Sequence, residues 1–323
     1  MKGLFYIHSS ITEKIAKKIA EEEHQNPIFV EDYRYSSGLK NSIGIEEIYD
    51  LRPSDGIISL WKRIKRGDKK LKNLMGNKFH AYAHHVSYKE VQIIISHRMC
   101  CGHSIIEEGT DSYLREEKVE KKIEKISRSL KEKIKYMMRI GKKEFFRGDE
   151  EAYYATSEKA FPGRENKKII SVNFDSSESE EKETCILVCD SLKYWGKEES
   201  TKYIYSIITA LNVIKKEYKK VKYKIHPDSY GKWEERLMKM AIHEFGPASK
   251  EIDRSESIED VAIGSGLDVF VYLSSVGLYC GMFSDSSVYS FYRAASKEEG
   301  TWALQYVPKV YWDHVQLLSQ REV

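Results

Sequence analysis

No apolar run in this 323-residue chain is long enough to cross a bilayer as a helix. The opening stretch MKGLFYIHSSITEK carries too short an apolar segment for a secretory signal. Cysteine is sparse and badly placed for cross-linking. There are five, an odd number, with Cys100 and Cys101 adjacent and Cys185 and Cys189 inside one apolar run. That is no disulfide framework, and no CxxC or spaced Cys/His set offers a structural zinc site. Reduced thiols in a cytoplasmic protein are expected. Charge of one sign is lacking too: 53 Lys+Arg stand against 50 Asp+Glu, a formal net charge of +3. The balance argues against wholesale nucleic-acid binding, as does the lack of basic and aromatic residues interleaved on a strand platform. Several motifs are missing as well. There is no GxxxxGK[ST] loop, no GxSxG elbow, and no Asp-x-Asp pair to hold a divalent cation on a diphosphate. Gly264-Ser265-Gly266 lacks the third glycine and the strand–turn–helix setting of a dinucleotide fingerprint.

What remains is an ordinary globular composition, 41% hydrophobic and 32% charged, at a length that suits two domains. The chain opens as a βαβ unit: Leu4-Phe5-Tyr6-Ile7, a helix with Ile11, Ile15 and Ile19 on one face, then Pro27-Ile28-Phe29-Val30. The turn His8-Ser9-Ser10 between them either lines a cleft or caps the helix through a serine. Gly56 to Met75 reads as a helix with a basic face from Lys62 to Lys70. Such a face is ordinarily solvated, with peripheral contact to anionic lipid head groups as the alternative. Phe79 to Val86 reads as a strand carrying His80, His84 and His85. These have no carboxylate or cysteine at ligand spacing, so no metal is expected there. Arg115 to Arg147 reads as a long charged helix or helical pair, packed on the first domain or serving as a homodimer contact. The polar stretch from Gly148 to Lys168, with its Phe161-Pro162-Gly163 breaker, sets the expected boundary, giving domains 1–163 and 164–323.

Strand character resumes at Ile169 to Phe174, Thr184 to Cys189, Val221 to Ile225 and Val269 to Leu273, with helices between. The fold class predicted is α/β, with two doubly wound parallel-sheet (Rossmann-like) domains facing a cleft. Ligands in such sheets sit at the carboxyl ends of the strands, so the polar residues there are the candidate site residues. In the first half these are Glu107-Glu108-Gly109, after Ile105-Ile106. Paired carboxylates at a buried strand end are candidates for proton acceptance, because burial and mutual repulsion both raise proton affinity. In the second half His226, pinned by Pro227, ends one strand, with Lys224 two residues earlier on the same face. Ser274-Ser275 ends another and precedes a helix, where hydroxyls and backbone N–H groups suit a phosphate. Glu259 lies between them and suits a ribose diol. The set describes a nucleotide-sugar site that needs no metal.

With these residues in place the chain resembles the bacterial sialyltransferases that cap lipooligosaccharides and capsules. The family's carboxylate-carboxylate-glycine motif is matched by Glu107-Glu108-Gly109, its His-Pro motif by His226-Pro227, and its Ser-Ser motif by Ser274-Ser275, in that order along most of the chain. The resemblance implies a GT-B-like fold, with an acceptor-side first domain and a donor-side second domain. It further implies metal-independent, inverting transfer of sialic acid from CMP-sialic acid to a glycan hydroxyl, commonly on galactose. Glu107 would be the general base, with Glu108 orienting it or shaping its pKa. His226 would donate to the CMP phosphate, Ser274 and Ser275 would hold its oxygens, and Glu259 would take the ribose. No cofactor is implied; the partners would be donor and acceptor glycan. Two departures stand out: both motif acids are Glu where relatives often have Asp, and Ser257 stands where relatives often have proline.

Two other readings stay open. A GT-B transferase using CDP-glycerol or a related donor would also show the Lys-x-His-Pro block and Ser274-Ser275-Val276. It gives no reason for two carboxylates and a glycine at a first-half strand end. A non-catalytic basic binding protein would use Lys62 to Lys72 and Lys215 to Lys224, against the near-zero net charge.

Overall fold

A computed structural model describes the chain except at residues 25, 34, 36, 38, 40, 52–55, 115–138, 141–145, 147, 175–182, 192–195, 293–306 and 319–323. It divides into two compact units, Met1–Asn173 and Phe174–Val323. The helix expected over 115–147 lies mostly outside the described residues.

In the first unit β1 (Lys2–Ile7) leads into α1 (Ser10–Glu23), followed by β2 (Ile28–Glu31), β3 (Ser42–Gly44), α2 (Ile45–Ile48) and α3 (Ile57–Met75). Then come β4 (Phe79–Ala83), α4 (Lys89–Ile95), β5 (Cys100–Ile106), β6 (Tyr153–Ala155) and β7 (Lys167–Ile169). The seven strands lie in the order β3-β2-β1-β4-β5-β6-β7, and every neighbouring pair is parallel. α1 is capped by Ser9, whose side chain accepts from the Thr12 N–H while the Thr12 hydroxyl closes a capping box. Ser9 of the His-Ser-Ser turn thus caps the helix, and Ile11, Ile15 and Ile19 are buried as their spacing requires. In α3, Leu60, Ile64, Leu71 and Met75 form the buried stripe.

The second unit runs β8 (Thr184–Cys189), α5 (Gly196–Glu217), β9 (Lys220–Ile225), α6 (Trp233–Phe245), β10 (Ala248–Glu251) and α7 (Ile258–Ser265). It ends with β11 (Val269–Val271), α8 (Ser275–Phe283), β12 (Val288–Ser290), α9 (Lys309–Trp312) and β13 (Gln316–Leu317). Its six strands are again all parallel, ordered β10-β9-β8-β11-β12-β13. Leu187, Tyr203, Ile207, Leu211, Met238 and Phe270 are within its core. Each such side chain contributes about 1.5–3 kcal/mol by leaving water.

The boundary falls ten residues later than the Phe161-Pro162-Gly163 breaker suggests. The strand expected over 169–174 is replaced by β7 at Lys167–Ile169, which begins inside the stretch read as a linker, and β7 pairs with β6 and closes the first sheet. Among the described residues no helix is long and apolar enough to cross a membrane.

Candidate functional site

Each sheet reverses its direction of growth once. In the first, the chain lays β2 and β3 on one side of β1 and then places β4 on the other. In the second, β9 and β10 lie on one side of β8 and β11 on the other. Such switch points leave a crevice at the carboxyl ends of the central strands.

At the first rim β1 runs into His8, β4 into His84 and His85, and β5 into Glu107-Glu108-Gly109. Parallel pairing of β1 with β4 and of β4 with β5 brings these residues to one edge. The two glutamates part at once, because successive strand residues face opposite ways. Glu107 is fully buried. The Tyr113 hydroxyl donates to its Oε1 at 2.6 Å, and the Thr156 N–H and hydroxyl donate to its Oε2 at 2.6 and 2.8 Å. Burial, and then Glu107 itself, push the Tyr113 hydroxyl well above its ordinary pKa, so it stays a donor. This carboxylate ties β5, the turn Thr110–Tyr113 and the end of β6 together. Both oxygens of Glu107, the residue expected to be the base, are therefore engaged in the interior.

Glu108 is the carboxylate at the rim. Its backbone N–H donates to the Ser112 hydroxyl at 3.1 Å. Its Oε2 lies 3.0 Å from His8 Nε2 and 3.6 Å from His84 Nε2, and its Oε1 lies 3.4 Å from His85 Nε2. The Ser87 N–H donates to His85 Nδ1 at 3.3 Å, so the neutral His85 ring carries its proton on Nε2, facing Glu108. The His8 and His84 rings stack with centroids 3.9 Å apart and planes at 15°. Burial pushes the His84 imidazole well below its ordinary pKa, with His8 and His85 adding to the effect. It is therefore neutral. Gly109 turns the chain at φ 153°, ψ −157°, a combination essentially confined to glycine. No carboxylate stands at ligand spacing from these histidines in the sequence, yet the fold gives His84 and His85 one. Partnership here comes from strand adjacency, which linear spacing does not show.

At the second rim His226 follows β9 and its N–H donates to Cys189 O at 3.0 Å. The Asp228 N–H donates to His226 Nδ1 at 3.1 Å, leaving the proton of the neutral ring on Nε2. Pro227 opens the short turn Pro227–Ser229 that sets this geometry. Ser274 caps α8, accepting from the Val276 N–H at 3.3 Å, and Ser275 is the first residue of that helix. Glu259 sits in the first turn of α7, where the Ser257 hydroxyl donates to its Oε2 at 3.2 Å.

Lys224, expected beside the rim, donates its ammonium to the carbonyls of Asp253 and Glu256 and braces that loop. Burial lowers its pKa despite the carboxylates around it.

Strand order β9-β8-β11 places Asp190, just after β8, between His226 and Ser274. Sequence reasoning passed over Asp190. Its carboxylate accepts from the Leu273 N–H at 3.2 Å, and burial pushes it up to about 6. A pocket of about 650 Å³ elsewhere in this unit, lined by Lys222, Lys250, Glu251, Asp253, Ser257 and Asp260, contains none of the rim residues.

No family model matches the chain, and no curated protein matches it by sequence. Solved structures do match by fold. A UDP-GlcNAc 2-epimerase from Methanocaldococcus jannaschii, in complex with UDP-GlcNAc and UDP, aligns over 100% of this chain and 90% of its own, at TM-score 0.53 and 10% identity. MnaA from Staphylococcus aureus, in a structure with UDP, aligns over 90% of this chain and 78% of its own, at TM-score 0.51 and 10% identity. The chain has a GT-B-like fold of two parallel-sheet α/β domains.

Proposed function

We propose that the chain is a glycosyltransferase that moves sialic acid from CMP-sialic acid to a hydroxyl of a glycan acceptor, a terminal galactose of a bacterial capsule or lipooligosaccharide. The fold neighbours hold UDP-GlcNAc or UDP, which supports a nucleotide-activated donor. The ordered motifs Glu107-Glu108-Gly109, His226-Pro227 and Ser274-Ser275 support the sialyl donor. The observation that carries the reading is Glu108: a rim carboxylate with one oxygen facing His8 and the other facing the His85 Nε2–H.

In this reading Glu108, not Glu107, takes the proton of the acceptor hydroxyl as its oxygen bonds to the anomeric carbon. The His85 Nε2–H holds the base in orientation. The bond from the anomeric carbon to the phosphate oxygen breaks, and that oxygen leaves with CMP. His226 Nε2–H donates to it and lowers its basicity. The N-terminus of α8, with Ser274 and Ser275, holds the remaining phosphate oxygens, and Glu259 accepts from the ribose hydroxyls. Proton transfer proceeds without a metal. The first unit is then the acceptor side and the second the donor side.

Incubation with CMP-sialic acid and lactose in the presence of EDTA tests this. CMP release matched by sialyl-lactose is the expected result. No turnover with any galactosyl acceptor, together with consumption of CDP-glycerol, would overturn it. So would acceptor-independent epimerisation of UDP-GlcNAc.

A further inference from the structure

We propose that His8, His84 and Glu108 form a binding site for a divalent cation of the zinc class. Three observations converge on it. First, the donor set is two imidazoles and one carboxylate, each offering one ligand atom, and these atoms lie within 4.8 Å of one another. Two His and one Glu suit a borderline cation such as Zn²⁺ and are poor for Mg²⁺ or Ca²⁺, which favour all-oxygen shells. Second, the spacing is close to what an ion requires. Metal–ligand bonds of about 2.0–2.2 Å in tetrahedral geometry put ligand atoms roughly 3.4 Å apart. Glu108 Oε2 stands 3.0 Å from His8 Nε2 and 3.6 Å from His84 Nε2. Third, His84 is 0% exposed, and neither of its ring nitrogens has a hydrogen-bond partner. Buried polar atoms are nearly always satisfied, so an imidazole aimed at a carboxylate 3.6 Å away calls for a ligand between them.

The surroundings fit a cation site. The Tyr6 and Tyr88 rings pack on His84 with centroids 5.6 and 4.7 Å away, giving a largely apolar wall. His85 Nε2–H faces Glu108 Oε1 and is the outer partner that a ligating carboxylate requires, while Oε2 is the oxygen that faces His8 and His84. Three protein ligands leave a fourth position open. Because the ion takes Glu108 Oε2, it excludes the proton transfer proposed above. Zinc is therefore an inhibitor of transfer, relieved by EDTA.

The test is binding to the full chain after chelator stripping, by calorimetry with Zn²⁺ and by visible absorption with Co²⁺. One ion per chain is expected. Glu108→Gln, His8→Ala and His84→Ala should each weaken binding by more than about 10–100-fold, the loss that removing only an outer partner of a ligand causes. His103→Ala, in the other His/Asp/Glu group with Asp149 and Glu150, should leave it unchanged. Circular dichroism identifies any variant that fails to fold, and Glu108→Gln, close in shape, carries the test if His84→Ala does. No Zn²⁺ binding, or loss that follows His103→Ala and not the other three, overturns the site. Binding is read without turnover, so failure of the transfer assay and failure of this site are separate results.

Discussion

The two sheet rims are built on the same topology and treat their polar residues differently. At the second rim most groups are spent on backbone groups of their own unit. Ser274 caps its own helix, His226 Nδ1 takes a backbone N–H two residues on, and Lys224 holds a nearby loop. At the first rim, histidines from the ends of two strands converge on the carboxylate at the end of a third, and His84 keeps two buried nitrogens unsatisfied. Local satisfaction stabilises a loop. Convergence without satisfaction costs stability, about 1–3 kcal/mol for a buried polar group left without a partner, and marks where external chemistry is handled.

The sharpest way to break this contrast is within the first rim, between neighbours. Glu108→Gln should cut transfer by roughly 10²–10⁴, the usual worth of a general base, while thermal unfolding stays near wild type. Glu107→Ala should do the opposite. It strands the Tyr113 hydroxyl and both Thr156 donors, costing about 3–5 kcal/mol in unfolding free energy. Below its lowered transition it should retain transfer within about tenfold of wild type. Denaturation and initial rates measured on both variants decide it. If Glu107→Ala folds normally and is inactive, the base belongs to Glu107 and the division of labour drawn here is reversed.

That pair also shows how far the sequence could be read. Alternating βα units, from the β-branched strand Ile105-Ile106 to the spaced isoleucines of α1, declare a doubly wound sheet because period and burial coincide. Short strands such as Ser42–Gly44 and Lys167–Ile169 are too brief to show a period, and missing the second of these shifted the domain boundary. At the site, Glu107-Glu108-Gly109 stood out as a strand end, yet period-2 alternation alone could not tell which acid faces the interior. His84 was visible but its partner was not, since β4 and β5 become neighbours only through the crossover. Asp190 was hidden for another reason: an acid between an apolar strand and a helix reads as an ordinary turn residue.

Asp190 is the exception at the second rim, and its titration sharpens the comparison next. Its folded pKa of about 6 lies above the ordinary 3.8, so the folded state binds the proton more tightly than the unfolded chain. Below about pH 4 both states are protonated and there is no differential. Between about pH 4 and 6 the unfolded chain ionises first and stability falls, by up to about 3 kcal/mol, then levels off above pH 6. Asp190→Asn should remove that loss: more stable than wild type at pH 7.5, equal to it near pH 4, by urea unfolding. A pH-independent difference would mean that the carboxylate is fully compensated, and the second rim would then have no strained member.

The smallest effect separates capping from ligand binding at Ser274. If its hydroxyl only caps α8, Ser274→Ala should cost about 1 kcal/mol and Ser274→Gly a few tenths, because glycine is nearly as good at that position. Both variants should then bind CMP-sialic acid as wild type does. If the hydroxyl also meets the donor phosphate, as proposed, the two measurements part company. Stability should recover in Ser274→Gly, but calorimetry should show donor affinity lowered about tenfold in both, since neither retains the oxygen and a lost hydrogen bond to a charged group is worth about 1.5–3 kcal/mol. The same stability pattern with unchanged affinity would leave Ser274 a cap, and the phosphate contacts would pass to Ser275 and the first N–H groups of α8.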